Sequence, residues 1–192
     1  MLIPLTEAAP VVTLDEAKAH LRVDHTDDDA YITALISVAS VAAADRTDRT
    51  IGIREWEWRA IGHDLCRRLT SRWWLRVPAP PLLDVISIKY RDTEGAEQTS
   101  PPEDYEIVGV GAPQGGFIRL KSGRSWPSVE PGAEAAVIHF KAGYEEVPET
   151  LKQAVLLMIG HLYNSRGEMI RQEFIEDPTI KALLIPYKVW GV

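Results

Sequence analysis

Hydrophobic positions recur at helical spacing near both ends of the 192-residue chain and alternate with polar ones through its middle. Thr13 and Glu16 have the spacing of a capping box, in which the Thr hydroxyl accepts from the Glu16 backbone N–H and the Glu carboxylate from that of Thr13. A short helix over Leu14–Leu21 follows, with Leu14, Ala17 and Leu21 on one face. The stretch Asp24-His25-Thr26-Asp27-Asp28-Asp29 reads as a break and a second N-cap, its carboxylates suited to the positive end of a helix. A long helix then runs from about Asp28 to Thr47. Tyr31, Leu35, Val38 and Ala42 form one row along it, and Ile32, Ile36, Ala39 and Ala43 the neighbouring row. Its second half is rich in Ala and Ser, which suits close packing against another helix, of this chain or of a neighbouring copy.

The middle changes period. Glu55-Trp56-Glu57-Trp58-Arg59 alternates polar and aromatic residues, the mark of a half-buried strand. Further strands are predicted over Trp73–Val77, stopped by Pro78-Ala79-Pro80-Pro81, and over Leu83–Arg91, turning at Asp92-Thr93-Glu94-Gly95. Tyr105–Val108, Phe117–Leu120 and Ala135–Tyr144 complete the set. Short strands without intervening helices predict a small antiparallel sheet or barrel. Helical spacing returns after Val147-Pro148-Glu149-Thr150, with Leu151, Val155, Met158 and Leu162 in line, Ala154, Leu157 and His161 beside them, and Gly167 as a stop. The tail from Glu168 to Val192 carries Phe174, Ile175, Ile180, Leu183, Leu184, Tyr187 and Trp190, with Pro178 and Pro186 bracketing a helical turn or two. The expected fold is α+β: a helical core of two main antiparallel helices plus short ones, residues 1–50 and 147–192, with an antiparallel β-rich insertion over 51–146.

Charge narrows the function. The chain carries 21 Lys+Arg against 28 Asp+Glu, a formal net charge of −7, and residues 1–50 alone hold 4 basic and 9 acidic residues. That balance argues against a protein whose main task is to grip DNA phosphates. The single cysteine, Cys66, allows no intrachain disulfide and no Cys-based zinc site, which suits a reducing cytoplasm. The start, MLIPLTEAAP, lacks a basic segment and Pro4 interrupts its apolar run, so no signal peptide is expected. The apolar stretch Ala154–Tyr163 is too short to span a membrane.

Candidate chemistry is sparse. His20, Asp24, His25 and Asp27–Asp29 show no metal-ligand spacing and read as a solvated loop and cap. His63, His139 and His161 have no ligand partner at the right distance in sequence. No G-x-S-x-G, S-x-x-K, Walker A or G-x-G-x-x-G occurs, so neither a catalytic residue, a metal nor a cofactor is expected. One cluster mixes basic and aromatic residues: Arg67, Arg68, Arg72, Trp73, Trp74 and Arg76. It could stack bases and touch phosphates. The alternative is a strand whose aromatics face the core and whose arginines face water or a partner's carboxylates, and the acidic surroundings favour it.

Thr13-Leu14-Asp15-Glu16-Ala17-Lys18-Ala19-His20-Leu21-Arg22-Val23-Asp24, followed by Asp27-Asp28-Asp29-Ala30-Tyr31-Ile32 and an Ala-rich helix, resembles the start of tailed-phage head–tail connector (adaptor) proteins. Val147 to Ala154, running on to His161-Leu162-Tyr163-Asn164-Ser165-Arg166-Gly167-Glu168, is similar to that family's later helix. Leu183 to Trp190 resembles the close of its long form, found in prophages and gene transfer agents. The resemblance covers the two helical ends, about half of the chain, and the strand-rich middle fits only by position. It implies a structural protein of the virion neck, made in the bacterial cytoplasm, that forms a ring of twelve copies. The portal protein lies on one side of that ring and the next neck protein on the other, and DNA passes through. On that footing the helical rows Tyr31, Leu35, Val38, Ala42 and Leu151, Val155, Met158, Leu162 are expected to pack within or between subunits. The tail residues Phe174, Ile175, Ile180, Leu183, Leu184, Tyr187 and Trp190 are expected to dock on the portal, ordering only there. Arg67, Arg68, Arg72 and Arg76 remain candidates for contact with DNA or a partner, and a DNA-binding module or an enzyme of unknown type are the competing readings.

Overall fold

The computed structural model describes residues 1–60, 69–71, 74–128, 136–165 and 177–190. The chain divides into two compact units: residues 1–7 with 53–144, and residues 8–52 with 145–192.

The first unit is built of strands that alternate one side in, one side out. Its larger sheet has the order β1-β2-β9-β5-β6, formed by β1 (Leu2–Pro4), β2 (Arg54–Ala60), β9 (Ala136–Ala142), β5 (Leu82–Arg91) and β6 (Glu97–Thr99). The smaller has the order β3-β4-β8-β7, from β3 (Leu69–Ser71), β4 (Trp74–Arg76), β8 (Phe117–Leu120) and β7 (Tyr105–Val108). Every pairing is antiparallel, and neither sheet closes into a barrel. One buried cluster draws on both sheets, with Trp58, Val85, Ile88, Ile138 and Phe140 from the larger and Leu75, Ile118 and Leu120 from the smaller. The register explains the alternation in β2: Trp56 lies opposite Phe140 and Trp58 opposite Ile138, while Glu57 lies opposite His139 on the other face. The turn after β5 is made by Asp92, whose carboxylate accepts from the backbone N–H groups of Glu94 and Ala96, with Gly95 at a φ of 83° that a side chain would strain.

The division expected at residue 50 differs at the N-terminus. Residues 1–7 belong with the strands, because β1 pairs with β2, Leu2 opposite Trp58 and Pro4 opposite Trp56. Pro4, read from sequence as an interruption, is tolerated because β1 is an edge strand.

The second unit is helical. It contains α1 (Leu14–Leu21), α2 (Asp29–Thr47), α3 (Glu149–Asn164) and α4 (Pro178–Leu184), followed by a 3₁₀ turn over Ile185–Tyr187. The capping box of α1 is present: the Glu16 N–H donates to Thr13 Oγ1 at 3.1 Å, and the Thr13 N–H to Glu16 Oε2 at 2.7 Å. Asp28 stands at the cap position of α2, but its carboxylate makes no capping bond and accepts instead from the Tyr163 hydroxyl at 2.5 Å. α2 packs on α3, and α1 and α4 pack on both. Ile32, Leu35, Ile36, Ala39 and Ala43 are buried on α2, and Leu151, Ala154, Val155, Met158, Ile159 and Leu162 on α3. Lys152 on α3 lies 3.7 Å from Glu16 on α1, and Lys18 on α1 lies 2.6 Å from Asp29 on α2.

Two consequences are measurable. A Cβ added at Gly52 would sit 1.9 Å from the Ala9 carbonyl oxygen, so Gly52→Ala is expected to cost about 1–3 kcal/mol of stability, read by urea unfolding. Met158 is fully buried, and Met158→Ala should cost about 2–5 kcal/mol in the same assay.

Candidate interaction surfaces

The helical rows expected to pack within or between subunits divide between buried and exposed positions. Leu151, Val155, Met158 and Leu162 are all buried, as is Leu35. Tyr31 and Ala42 are half-buried, the Tyr31 ring lying 6.1 Å from that of Tyr163. Val38 does not pack within the protomer: it is 53 % exposed, and its neighbour Val41 is 52 % exposed, which leaves packing between subunits as the expectation for it. The reason is that α2 is apolar nearly all round, so periodicity alone does not choose which row turns inward.

The tail also departs from its expectation. Phe174 and Ile175 lie outside the described residues, as does Gly167. Ile180 and Leu184 are 0 % and 4 % exposed within the helical unit, because α4 lays them on α3; they are not free for a partner. Leu183 and Tyr187 are half-buried. Segment 187–189 is tied to the end of α2: the Val189 N–H donates to the Thr47 carbonyl at 2.9 Å and the Arg49 Nε to that of Tyr187. Trp190, 70 % exposed with the Lys188 ammonium 5.4 Å over its ring, and Ile185 remain at the surface. Thus residues 177–189 make their contacts with the helices of the same protomer.

Asp177 fixes the start of that segment. Its Oδ1 accepts from the N–H groups of Thr179 and Ile180, and its Oδ2 lies 3.1 Å from His161 Nε2. The Thr179 N–H, first among these, holds the carboxyl below its ordinary value. Between α1 and α3, the Thr13 N–H likewise lowers Glu16, while Glu149 and then Glu16 raise Lys152.

The Arg and Trp cluster can be followed only in part, since Arg67, Arg68, Arg72 and Trp73 lie outside the described residues. On β4 the alternation puts Leu75 in the core and Trp74 and Arg76 on the outer face, so this tryptophan does not face inward as expected. The partners there come from β8 and β7. Arg119 places its guanidinium 5.1 Å from the Trp74 centroid and pairs with Glu106; Phe117 meets Trp74 edge-on at 5.7 Å. A groove of about 420 Å³ opens beside them, lined by Trp74, Glu106, Arg119, Leu120, Lys121 and Ser122. Arg76 donates from Nη2 to the Gln114 carbonyl at 2.8 Å. The sequence did not single out Phe117, Arg119 or Lys121, because only the β4–β8 pairing joins them to Trp74 across more than forty residues. Among the described residues, no group of three or more His, Cys, Asp or Glu side chains is placed to hold a metal ion.

Residues 11–101 match the phage gp6-like head-tail connector protein family. The match spans α1 to β6, just under half of the chain, and includes the capping-box helix and the Ala-rich helix. A likeness in fold extends further. A chain from the neck of an empty gene transfer agent particle, computed with C6 symmetry, is 21 % identical and superposes with a TM-score of 0.75 over 100 % of this chain and 97 % of its own. Chains from the virion of a native gene transfer agent particle and from its neck computed with C12 symmetry are each 20 % identical, with TM-scores of 0.76 and 0.70 and the same coverage. At this identity the likeness is one of fold, and it includes the C-terminal helices that the connector-family match leaves out. No curated protein matches the chain.

A lowered carboxyl contributes stability above its ordinary value near 3.8, and that contribution is lost as pH falls through the lower native value. Amide protection across 178–187, corrected for intrinsic exchange, is therefore expected to hold down to about pH 4 and to fall as pH is lowered further. Asp177→Ala should show reduced protection already at pH 6 and a weaker dependence on pH below 4.

Proposed function

We propose that this chain is a structural head–tail connector in the neck of a tailed phage or gene transfer agent. In this reading twelve copies form a ring beneath the portal, the next neck protein assembles on that ring, and DNA passes through without sequence-specific binding. The observation that carries it is the coincidence of the connector-family match with a likeness, along the whole chain, to gene transfer agent neck chains. C12 symmetry in one of those necks supports a ring of twelve, and C6 symmetry in another is compatible with it. The net charge of −7 suits a channel that must not hold phosphates. The reading needs no catalytic residue, metal or cofactor, and no motif in the chain asks for one.

The portal contact is assigned to three of the residues exposed at the end of the C-terminal segment: Ile185, Lys188 and Trp190. Tryptophan is a residue type that often dominates interface energy, and this one is anchored on a segment hydrogen-bonded to α2. A DNA-binding module is the second reading, favoured by Trp74, Arg119 and Lys121 around one groove. Glu106 in the same groove, already paired with Arg119, counts against it.

The double variant Ile185→Ser/Trp190→Ala should unfold within about 0.5 kcal/mol of the parent, since both side chains are exposed. It should nonetheless fail to co-sediment with portal-bearing heads. Undiminished co-sedimentation would move the portal contact elsewhere, and tight, salt-sensitive binding of the isolated protein to duplex DNA would favour the second reading.

A further inference from the structure

We propose that the outward face of α2 on one copy docks across the outer face of the β3-β4-β8-β7 sheet of the next copy, Val38 and Val41 covering Val108 and Phe117 while Asp45 pairs with Arg76. The inference rests on the ring reading above and names the surfaces that would close it.

Three features of α2 make no sense for a helix that faces only water. Val38 and Val41 are β-branched side chains at exposed helical positions, where they neither pack nor favour the helix. Asp45 lies in the last turn and Asp48 at the C-cap, at the negative end of the macrodipole, where carboxylates are unfavourable unless a cation meets them. At 3.6 residues per turn, Ala34, Ser37, Val38, Val41 and Asp45 all fall within about 100° of one another, and all are exposed. One face therefore combines small residues, two bare valines and an acidic end.

The sheet offers the complement. Val108, Phe117 and Arg76 are neighbours in register across β7, β8 and β4, on the face opposite the core. Two strand spacings separate Val108 from Arg76 by about 10 Å. Seven helical residues separate Val38 from Asp45 by about the same distance. A helix lying across the strands thus sets its valines on the apolar pair as its aspartate reaches the arginine. Arg76 spends one N–H on Gln114, leaving donors for a paired carboxylate. The two patches are different, so the contact is head-to-tail, the kind that generates a ring when the rotation closes, as in the cyclic symmetry of the similar neck chains.

The test is assembly of the full chain, followed by sedimentation velocity and native mass spectrometry over a concentration series, for the parent, Asp45→Arg, Arg76→Asp and the double variant, with thermal melts as the folding control. Each single reversal should raise the concentration needed for assembly by about tenfold or more, and the double reversal should return it to within about threefold of the parent. Assembly of both single variants at the parent's concentration would overturn this surface while leaving the ring intact. Disruption by both singles without rescue in the double would refute the Asp45–Arg76 pairing. A parent that stays monomeric at every concentration, even with portal-bearing heads supplied, would remove the ring reading itself.

Discussion

The apolar seam between α2 and α3 is the contact on which the rest of the chain depends. Its two sides come from residues separated by the entire β region, so the helical unit exists only if the chain leaves it at Gly52 and returns near Glu145. A flexible excursion of that length adds to the closure cost only slowly with each further residue. The excursion is not flexible, however. Arg54, the first residue of β2, pairs with Ala142, the last of β9, so the two ends of the inserted segment are held side by side by one ladder. The β unit thereby delivers both connections together. Gly52 fits the same logic: at the point where the chain departs, the Ala9 carbonyl lies too close for any side chain.

Once the seam is made, burial sorts the remaining apolar residues into two kinds. Ile180 and Leu184 find cover on α3 and become core, with Asp177 and His161 fixing the start of their helix. Val38, Val41, Ile185 and Trp190 stay exposed among the described residues. A small domain always exposes some apolar area, but exposed apolar residues grouped on one helix face or one chain end are the usual mark of a partner surface. On the connector reading proposed above, much of the information lies in which surfaces stay open, and little in any chemical group.

Local rules made much of the fold legible from the sequence alone. The capping box at Thr13 and Glu16, the bounds Leu14–Leu21 and Thr47, and the strands Tyr105–Val108 and Phe117–Leu120 all follow from hydrogen bonds and side-chain periods that involve near neighbours. The connector resemblance was legible for the same reason, since its motifs are caps and packing rows along single helices. What the tertiary structure alone decided is which side of each element turned inward. β1 went unnoticed because its pairing is with residues more than fifty positions away, and Pro4 argued against it locally. Period two in β4 divides Trp74 and Arg76 from Leu75 without saying which side is core; pairing with β8 buries Leu75 beside Ile118 and leaves Trp74 outside with Arg119. On α2 the apolar residues run all round, so only the arrival of α3 chose Leu35 over Val38. A period identifies a face, but its burial depends on a neighbour brought from elsewhere in the chain.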